Sequence, residues 1–172
     1  MNKIQAYITG QIISSNDSEA HSLHAKSYFG EVKQGKIQYT LTEALYLVEK
    51  GKLEVLQKSK PLLEKQIFDE ARKIDKKIQI KYPVFKDLRD RGYILKTALK
   101  FGADFRIYDK GQKPGTSHAK WVCFVEHESS KLSWHEFSAK NRVAHSTKKN
   151  LLLAIVDEEG DISYYEVKWL KP

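Results

Sequence analysis

Three residues in the second half of this 172-residue chain have side chains that together can cleave RNA: Tyr108, His118 and Lys149. One group can remove the proton of a ribose 2′-OH, a second can protonate the departing 5′-oxygen, and a third can stabilise the negative phosphorane. Well-placed proton transfers are each worth roughly 100- to 10,000-fold in rate, and a fixed cation adds electrostatic stabilisation. This chemistry needs neither a metal ion nor a cofactor.

Each of the three residues lies in a distinctive local sequence. Tyr108 ends Phe-Arg-Ile-Tyr, His118 follows Pro-Gly-Thr-Ser, and Lys149 precedes Asn-Leu-Leu-Leu-Ala-Ile-Val-Asp. The longest distinctive run is Lys-Asp-Leu-Arg-Asp-Arg-Gly-Tyr-Ile-Leu-Lys-Thr-Ala-Leu-Lys-Phe-Gly-Ala-Asp-Phe-Arg-Ile-Tyr, residues 86–108. Together, in this order, these sequences resemble the tRNA-splicing endonuclease family of archaea, from about Thr40 to the C-terminus.

The resemblance implies a role for each of the three residues and a substrate. Tyr108 would be the general base, His118 the general acid and Lys149 the cation that stabilises the transition state. The expected substrate is precursor tRNA, cut at bulge–helix–bulge junctions to leave 2′,3′-cyclic phosphate and 5′-hydroxyl ends. The family also predicts a homotetramer without cofactor or metal, and a fold with an N-terminal mixed α/β domain and a restriction-endonuclease-like C-terminal domain around a central mixed sheet.

The resemblance also suggests residues that contact RNA and residues at a subunit interface. Arg142 would stack on an extruded base of the bulge, a contact favoured by cation–π attraction. The family has a second stacking residue near the C-terminus. This chain has no arginine there, which leaves the aromatic side chains of Tyr164 and Trp169 as candidates. Glu126 and Glu128 occupy the stretch that forms an acidic docking loop in the family, and an ordinary solvated turn is the alternative for them.

Composition and charge fit a phosphate-rich partner. The chain has 30 basic and 22 acidic residues, for a net charge of +8, and each phosphate that a protein neutralises releases counterions. Hydrophobic residues make up 41% of the sequence, which excludes disorder as its main state. No apolar run approaches the roughly 20 residues of a membrane span. The single cysteine, Cys123, is expected to pack inside a strand and fits a reducing cytoplasm.

The sequence predicts two domains, residues 1–80 and 81–172, with the boundary near Ile80 because the residues singled out for chemistry all lie beyond it. The first forty residues favour short strands separated by turns, followed by a short helix capped at Thr40. Apolar residues at spacings of three and four predict a longer helix over Pro61–Ile80. A further helix is expected to begin at Tyr82–Pro83, because proline suits a first helical turn.

The second domain is predicted to alternate strands with one capped helix. The expected strands are 93–97, 104–108, 120–126, 151–156 and 162–169. Ser133 and Glu136 form the sequence of a capping box and predict that a helix begins there.

Several alternatives remain open from the sequence. Glu166 and Lys168 resemble half of the signature of metal-dependent DNA nucleases, with Asp157 or Asp161 as a possible further ligand. A non-catalytic structural subunit of a mixed complex is a second alternative, although such a subunit is expected to lack one of the three residues. Lys148 competes with Lys149 for the role of the cation, and His145 is an alternative acid. No histidine lies in a convincing metal-binding pattern.

Overall fold

The computed structural model describes residues 3–172, which form two compact units that divide between Tyr82 and Pro83. Each unit is built around one mixed β-sheet, and the described residues include five α-helices. The predicted mixed α/β class is therefore confirmed. No helix within residues 3–172 is long and apolar enough to cross a membrane.

The first unit contains a six-stranded sheet and three helices. Its strands are β1 (Ile4–Thr9), β2 (Ile12–Ser15), β3 (Glu31–Lys33), β4 (Lys36–Tyr39), β5 (Leu53–Gln57) and β6 (Lys60–Pro61). Its helices are α1 (Ser18–Ser27), α2 (Leu41–Glu49) and α3 (Glu64–Ile74). The strand order is β3-β4-β2-β1-β5-β6, and β1 and β5 are parallel while the other neighbours are antiparallel.

Helix α1 corrects the prediction that the first forty residues contain only strands and turns. The Asp17 side chain caps this helix by accepting a hydrogen bond from the backbone N–H of Glu19, 3.1 Å away. Ala20 is the only residue of α1 that is buried. A helix that buries so little has no clear apolar stripe to predict it from the sequence. The Ser-Asn-Asp-Ser sequence at its start was therefore interpreted as a turn, although its aspartate caps the helix.

Helix α2 begins where the sequence predicted. The Thr40 side chain accepts from the backbone N–H of Glu43 at 3.2 Å, and the Glu43 carboxylate accepts from the backbone N–H of Thr40 at 2.9 Å. This reciprocal pair is a capping box.

The helix predicted over Pro61–Ile80 is wrong at both ends. Pro61 lies in β6, α3 ends at Ile74, and a new helix, α4 (Ile78–Asp90), follows a short break. Asp75 explains the break, because its carboxylate accepts from the backbone N–H of Lys77 at 2.9 Å and takes the place of a continuing helical bond. Pro83 is also not in a first turn as predicted, but lies inside α4.

The second unit contains a five-stranded sheet. After α4 come β7 (Ile94–Ala98), a 3₁₀ turn (Leu99–Phe101), β8 (Ala103–Tyr108), β9 (Trp121–His127), α5 (Trp134–Ser146), β10 (Asn150–Val156) and β11 (Ile162–Val167). All five strands predicted for this half are present, within two residues at each boundary, and the capping box of Ser133 and Glu136 is confirmed.

The strand order of this sheet is β11-β10-β9-β8-β7. Strands β9 and β10 are parallel and are joined through α5, while the other neighbours are antiparallel. Helix α5 packs on one face, where Ala144 joins a buried cluster with Val122 and Leu151. On the other face the ring of Phe85 from α4 lies 5.9 Å from that of Phe105. Cys123 is fully buried in β9, as predicted.

Candidate active site

Tyr108 is the last residue of β8, an interior strand of the second sheet. Side chains alternate across a strand, so Tyr108 and Arg106 share one face. Arg106 is paired across the sheet with Val122, whose side chain belongs to the buried cluster beneath α5. The Tyr108 side chain therefore lies on the α5 face, and only 4% of the residue is exposed. A strand hydrogen-bonded on both sides holds this phenol in a fixed position.

His118 lies in the loop that joins β8 to β9. Both ends of the loop are fastened: the Lys120 ammonium donates to the Asp109 carboxylate at 2.9 Å, and the Lys120 backbone N–H donates to the carbonyl of Ile107 at 2.8 Å. The hydrogen bond from Lys120 lowers the pKa of the Asp109 carboxyl and raises the pKa of Lys120, so the two groups remain oppositely charged. Hydrogen bonds thus hold the two ends of the loop together, and the imidazole of His118 within the loop is exposed.

The end of α5 sets the direction of Lys149. The backbone N–H of Lys149 donates to the carbonyl of Ala144 at 2.9 Å, and that of Lys148 donates to His145 at 3.0 Å. Lys148 has a positive φ of 55°. These are the bonds and the left-handed residue of a Schellman motif, here with lysine where glycine is usual.

This turn separates the two lysines that compete in the sequence. Lys148 is exposed, whereas Lys149 is partly buried and its Nζ donates to the carbonyl of Thr147 at 3.0 Å. Burial lowers the pKa of the Lys149 ammonium from its usual value, and the nearby Arg106 guanidinium lowers that pKa further.

Tyr108, His118 and Lys149 line one cavity of about 330 Å³. The other described residues of its wall are Phe101, Arg106, Gly115, Thr116, Ser117 and Ala119. None of these wall residues is acidic, whereas Arg106 and Lys149 are cationic. The cavity thus contains a phenol and an imidazole, each able to transfer a proton to or from a substrate. It also contains two cations suited to a phosphate group.

Trp169 lies beside this cavity and Tyr164 does not. A smaller space of about 170 Å³ is lined by Lys149, His145 and Trp169, and the rings of His145 and Trp169 have centroids 4.5 Å apart. Tyr164 is paired with Ala154 and its hydroxyl donates to the carboxylate of Asp87 in α4, 2.7 Å away. It therefore lies on the α4 face of the sheet, opposite Tyr108.

Arg142 is exposed on α5 and does not line either space among the described residues. Its proposed stacking on an RNA base stays a prediction. His145, by contrast, is oriented toward Trp169 rather than toward the cavity that holds Tyr108 and His118.

The two glutamates of the expected docking loop contact other elements of their own unit. Oε1 of Glu126 lies 3.9 Å from Nζ of Lys140 in α5. Oε1 of Glu128 accepts a hydrogen bond from the backbone N–H of Glu158, in the turn between β10 and β11, at 3.0 Å. Glu128 remains exposed. Their role at a subunit interface stays a prediction.

Glu166 and Lys168 form an ion pair of 3.1 Å, and Glu166 also accepts from the Trp121 indole at 2.5 Å. The indole hydrogen bond, together with Lys168, lowers the pKa of the Glu166 carboxyl. Both carboxylate oxygens thus face donors. Within residues 3–172, no group of three or more His, Cys, Asp or Glu side chains is arranged to hold a metal ion.

Two family models match the chain. The tRNA intron endonuclease catalytic C-terminal domain matches residues 78–164, and the tRNA intron endonuclease N-terminal domain matches residues 4–68. The chain is therefore an endonuclease with an N-terminal domain and a catalytic C-terminal domain.

Full-length relatives agree with this class. Proteins named tRNA-splicing endonuclease are 44% identical over 166 residues in Thermococcus kodakarensis (96% of this chain and 97% of the relative) and 42% identical over 169 residues in Pyrococcus abyssi (98% and 97%). The protein of that name in Nanoarchaeum equitans is 45% identical over 138 residues, covering 77% of this chain and 88% of the relative. The chain belongs to the tRNA intron endonuclease family, which confirms the family predicted from the sequence.

Arg106 is the residue of the cavity that sequence reasoning missed. Its signal is present in the sequence, because it stands two residues before Tyr108 in a predicted strand and must share its face. An arginine on a partly exposed strand usually has a solvated side chain, so its position alone does not indicate a functional residue.

Proposed function

We propose that this protein excises introns from precursor tRNA by cutting RNA at bulge–helix–bulge junctions without a metal ion. The observation that carries the proposal is the single cavity into which Tyr108, His118 and Lys149 converge. The absence of acidic residues from the described wall of that cavity supports an anionic substrate. Membership of the family supports tRNA as that substrate.

The proposed reaction is an internal transesterification. Tyr108 removes the proton of the ribose 2′-OH, and the 2′-oxygen attacks the adjacent phosphorus. The bond from phosphorus to the 5′-oxygen breaks, and His118 donates a proton to that oxygen. The products are a 2′,3′-cyclic phosphate and a 5′-hydroxyl, and no water is consumed. Lys149 stabilises the extra negative charge of the phosphorane.

We further propose that Arg142 and Trp169 hold an extruded base near the cleavage site. An aromatic ring and a guanidinium both stack on a base, and such stacking is worth about 1–3 kcal/mol per base. Trp169 is favoured over Tyr164 because it lies next to Lys149, while Tyr164 is anchored to Asp87 on the other face.

Cleavage in excess EDTA tests the proposed chemistry. The purified protein is expected to cut a bulge–helix–bulge RNA at an undiminished rate and to leave cyclic phosphate and 5′-hydroxyl ends. A substrate with a 2′-deoxy nucleotide at the scissile position should remain intact at that bond, because it lacks the nucleophile. Activity that disappears in EDTA and returns with Mg²⁺, or 5′-phosphate products, would instead support the alternative built on Glu166 and Lys168.

A further inference from the structure

Arg106 lies in the cavity, and no ion pair joins its guanidinium to any other residue in the described range 3–172. It lines the wall together with Tyr108 and Lys149, and its Nε is buried with no hydrogen-bond partner among residues 3–172. A guanidinium has five N–H donors and stays protonated throughout the physiological range. Leaving a buried donor unsatisfied is unfavourable by about 1–3 kcal/mol. An arginine kept in such a state is suited to an anionic ligand that is absent from the protein itself.

The second cation in the wall supports the same conclusion. Arg106 is close enough to Lys149 to lower its pKa, and no acidic residue among those of the described wall compensates the two charges. Two like charges at one cavity repel each other unless an anion binds between them. A phosphate group satisfies both, because its oxygens accept hydrogen bonds from the planar guanidinium fork and from the ammonium at once.

We propose that Arg106 binds the phosphate at which the RNA is cut, with its guanidinium donating hydrogen bonds to a non-bridging oxygen. This rests on the proposed function, and it adds a fourth residue that contacts the reacting group. Arg106 transfers no proton. As the 2′-oxygen attacks, the phosphate gains one negative charge, and Arg106 and Lys149 share it. Because Arg106 lies two residues before Tyr108 on the same strand, the strand fixes the position of the guanidinium relative to the Tyr108 phenol.

The competing role for Arg106 is structural, as a side chain that only fills the wall beside Phe101. Titration of the intact protein with inorganic phosphate separates the two roles without any RNA. The Arg106 Nε–H resonance, assigned from its loss in Arg106→Lys, should shift saturably with phosphate and not with chloride at equal ionic strength. Arg91, exposed and paired with Asp87 at 3.0 Å, provides the matched control: Arg91→Lys should leave the titration unchanged. An Arg106 resonance that phosphate does not move would overturn the proposal.

Single-turnover cleavage then tests the contact in the reaction. Arg106→Met is expected to slow cleavage about 100-fold, as removal of one oxyanion donor does, and Arg106→Lys should recover part of that loss. Wild-type protein should discriminate between the two phosphorothioate diastereomers at the scissile bond, and Arg106→Met should lose this discrimination. Wild-type rate and stereoselectivity in Arg106→Met would refute the proposal, as would a rate loss that follows only the fraction of unfolded protein.

The phosphate titration and the cleavage assay together distinguish failure of the role of Arg106 from failure of the proposed function. If phosphate shifts Arg106 but the protein does not cut precursor tRNA, the phosphate site stands and the substrate assignment falls. If precursor tRNA is cut and Arg106→Met retains wild-type rate and selectivity, the function stands and the role of Arg106 falls.

Discussion

The Lys149 ammonium is held in a state that opposes folding and favours binding of an anion. It is partly buried, faces the Arg106 guanidinium, and has a carbonyl of its own turn as its hydrogen-bond acceptor. A lowered pKa in the folded state means that the folded protein binds the proton of Lys149 less tightly than the unfolded chain. At neutral pH this group therefore decreases stability, and its contribution becomes less unfavourable as pH rises from the folded pKa toward the unfolded value.

Lys149→Met should consequently separate activity from stability. We expect single-turnover cleavage to fall at least 100-fold, because the phosphorane loses a cation, while the urea midpoint at pH 7 stays equal or rises. The difference in midpoint between Lys149→Met and wild type should shrink when both are measured near pH 10. Lys148→Met is the control, since Lys148 is exposed outside the cavity. A Lys148→Met variant as inactive as Lys149→Met would reverse the assignment of the cation.

His118→Ala is expected to lose most of its cleavage rate and still bind the RNA, because only the proton donor for the leaving oxygen is removed. A substrate with sulfur in the 5′-bridging position has a leaving group that needs little protonation, and the variant should recover much of its rate on it. Quench-flow comparison of the two substrates measures this. Equal impairment on both would exclude His118 as the acid. His145→Ala, which removes the alternative acid, should retain the wild-type ratio between them.

At the scale of elements, the site depends on how α5 ends. The Schellman motif reverses the direction of the backbone at Lys148, which leaves Lys148 in solvent while Lys149 lines the cavity. Lys148 accepts a left-handed backbone with φ of 55°, a conformation that costs an L-residue roughly 1–2 kcal/mol and glycine almost nothing.

Lys148→Gly should therefore stabilise the protein by about 0.5–1 kcal/mol, after allowing for the greater freedom of glycine in the unfolded chain. Cleavage activity should be unchanged. Equilibrium unfolding in urea gives the measurement. Ser146→Gly provides the contrast, because Ser146 is the last residue of the α5 helix and glycine there should destabilise. If both substitutions destabilise, the left-handed turn is not a source of strain.

Elements with a strong pattern could be predicted from the sequence, and elements without one could not. The strands of the second unit and the capped helices α2 and α5 were correct, because apolar runs and capping residues are local signals. Helix α1 was missed because it buries only Ala20. The predicted helix over Pro61–Ile80 merged two helices, because apolar spacing continues across Asp75 and does not reveal that this side chain hydrogen-bonds the backbone where α3 ends.

The same limit applies to the site. Tyr108, His118 and Lys149 were identified through sequences that resemble a family, and their convergence on one cavity follows from strand register and from a loop closed at both ends. Arg106 needed the structure, because only burial of its Nε and the composition of the wall distinguish it from a solvated arginine. The sequence did not distinguish Tyr164 from Trp169 as the stacking residue. In the structure Tyr164 lies on the α4 face of the sheet, whereas Trp169 lies beyond the end of β11 against His145.

At the scale of the whole molecule, one chain carries one set of catalytic residues, whereas excision of an intron needs two cuts. Two subunits related by a two-fold axis would present two sites to the two bulges, and closed two-fold assemblies are the commonest kind. Strand β11 lies at the edge of its sheet, with Tyr165 57% exposed. An exposed apolar edge strand favours pairing with another chain. We therefore propose a dimer through β11, and a tetramer through Glu126 and Glu128.

Sedimentation of the purified protein should give a tetramer that dissociates at high salt, because exposed charge pairs are screened. Replacing Glu126 and Glu128 by lysine should shift it toward dimers and lower activity, with a circular dichroism spectrum like that of the wild type. Glu126→Gln with Glu128→Gln gives a milder form of the same change. Glu159→Lys, in the exposed turn before β11, controls for added positive charge. A wild-type monomer that cuts both junctions, or a tetramer that survives the reversal, would contradict the assembly.

The path of the chain also determines when a polypeptide under synthesis first becomes a nuclease. Tyr108 and His118 emerge from the ribosome before Lys149, which directly precedes β10. That strand pairs in parallel with β9, and a parallel pair forms only after the intervening helix has crossed the sheet. On the proposed roles, a nascent chain holds base and acid without the cation that completes them. Ribosome-bound fragments that end before β10 are thus expected to cut RNA far more slowly than the chain that has completed this pairing.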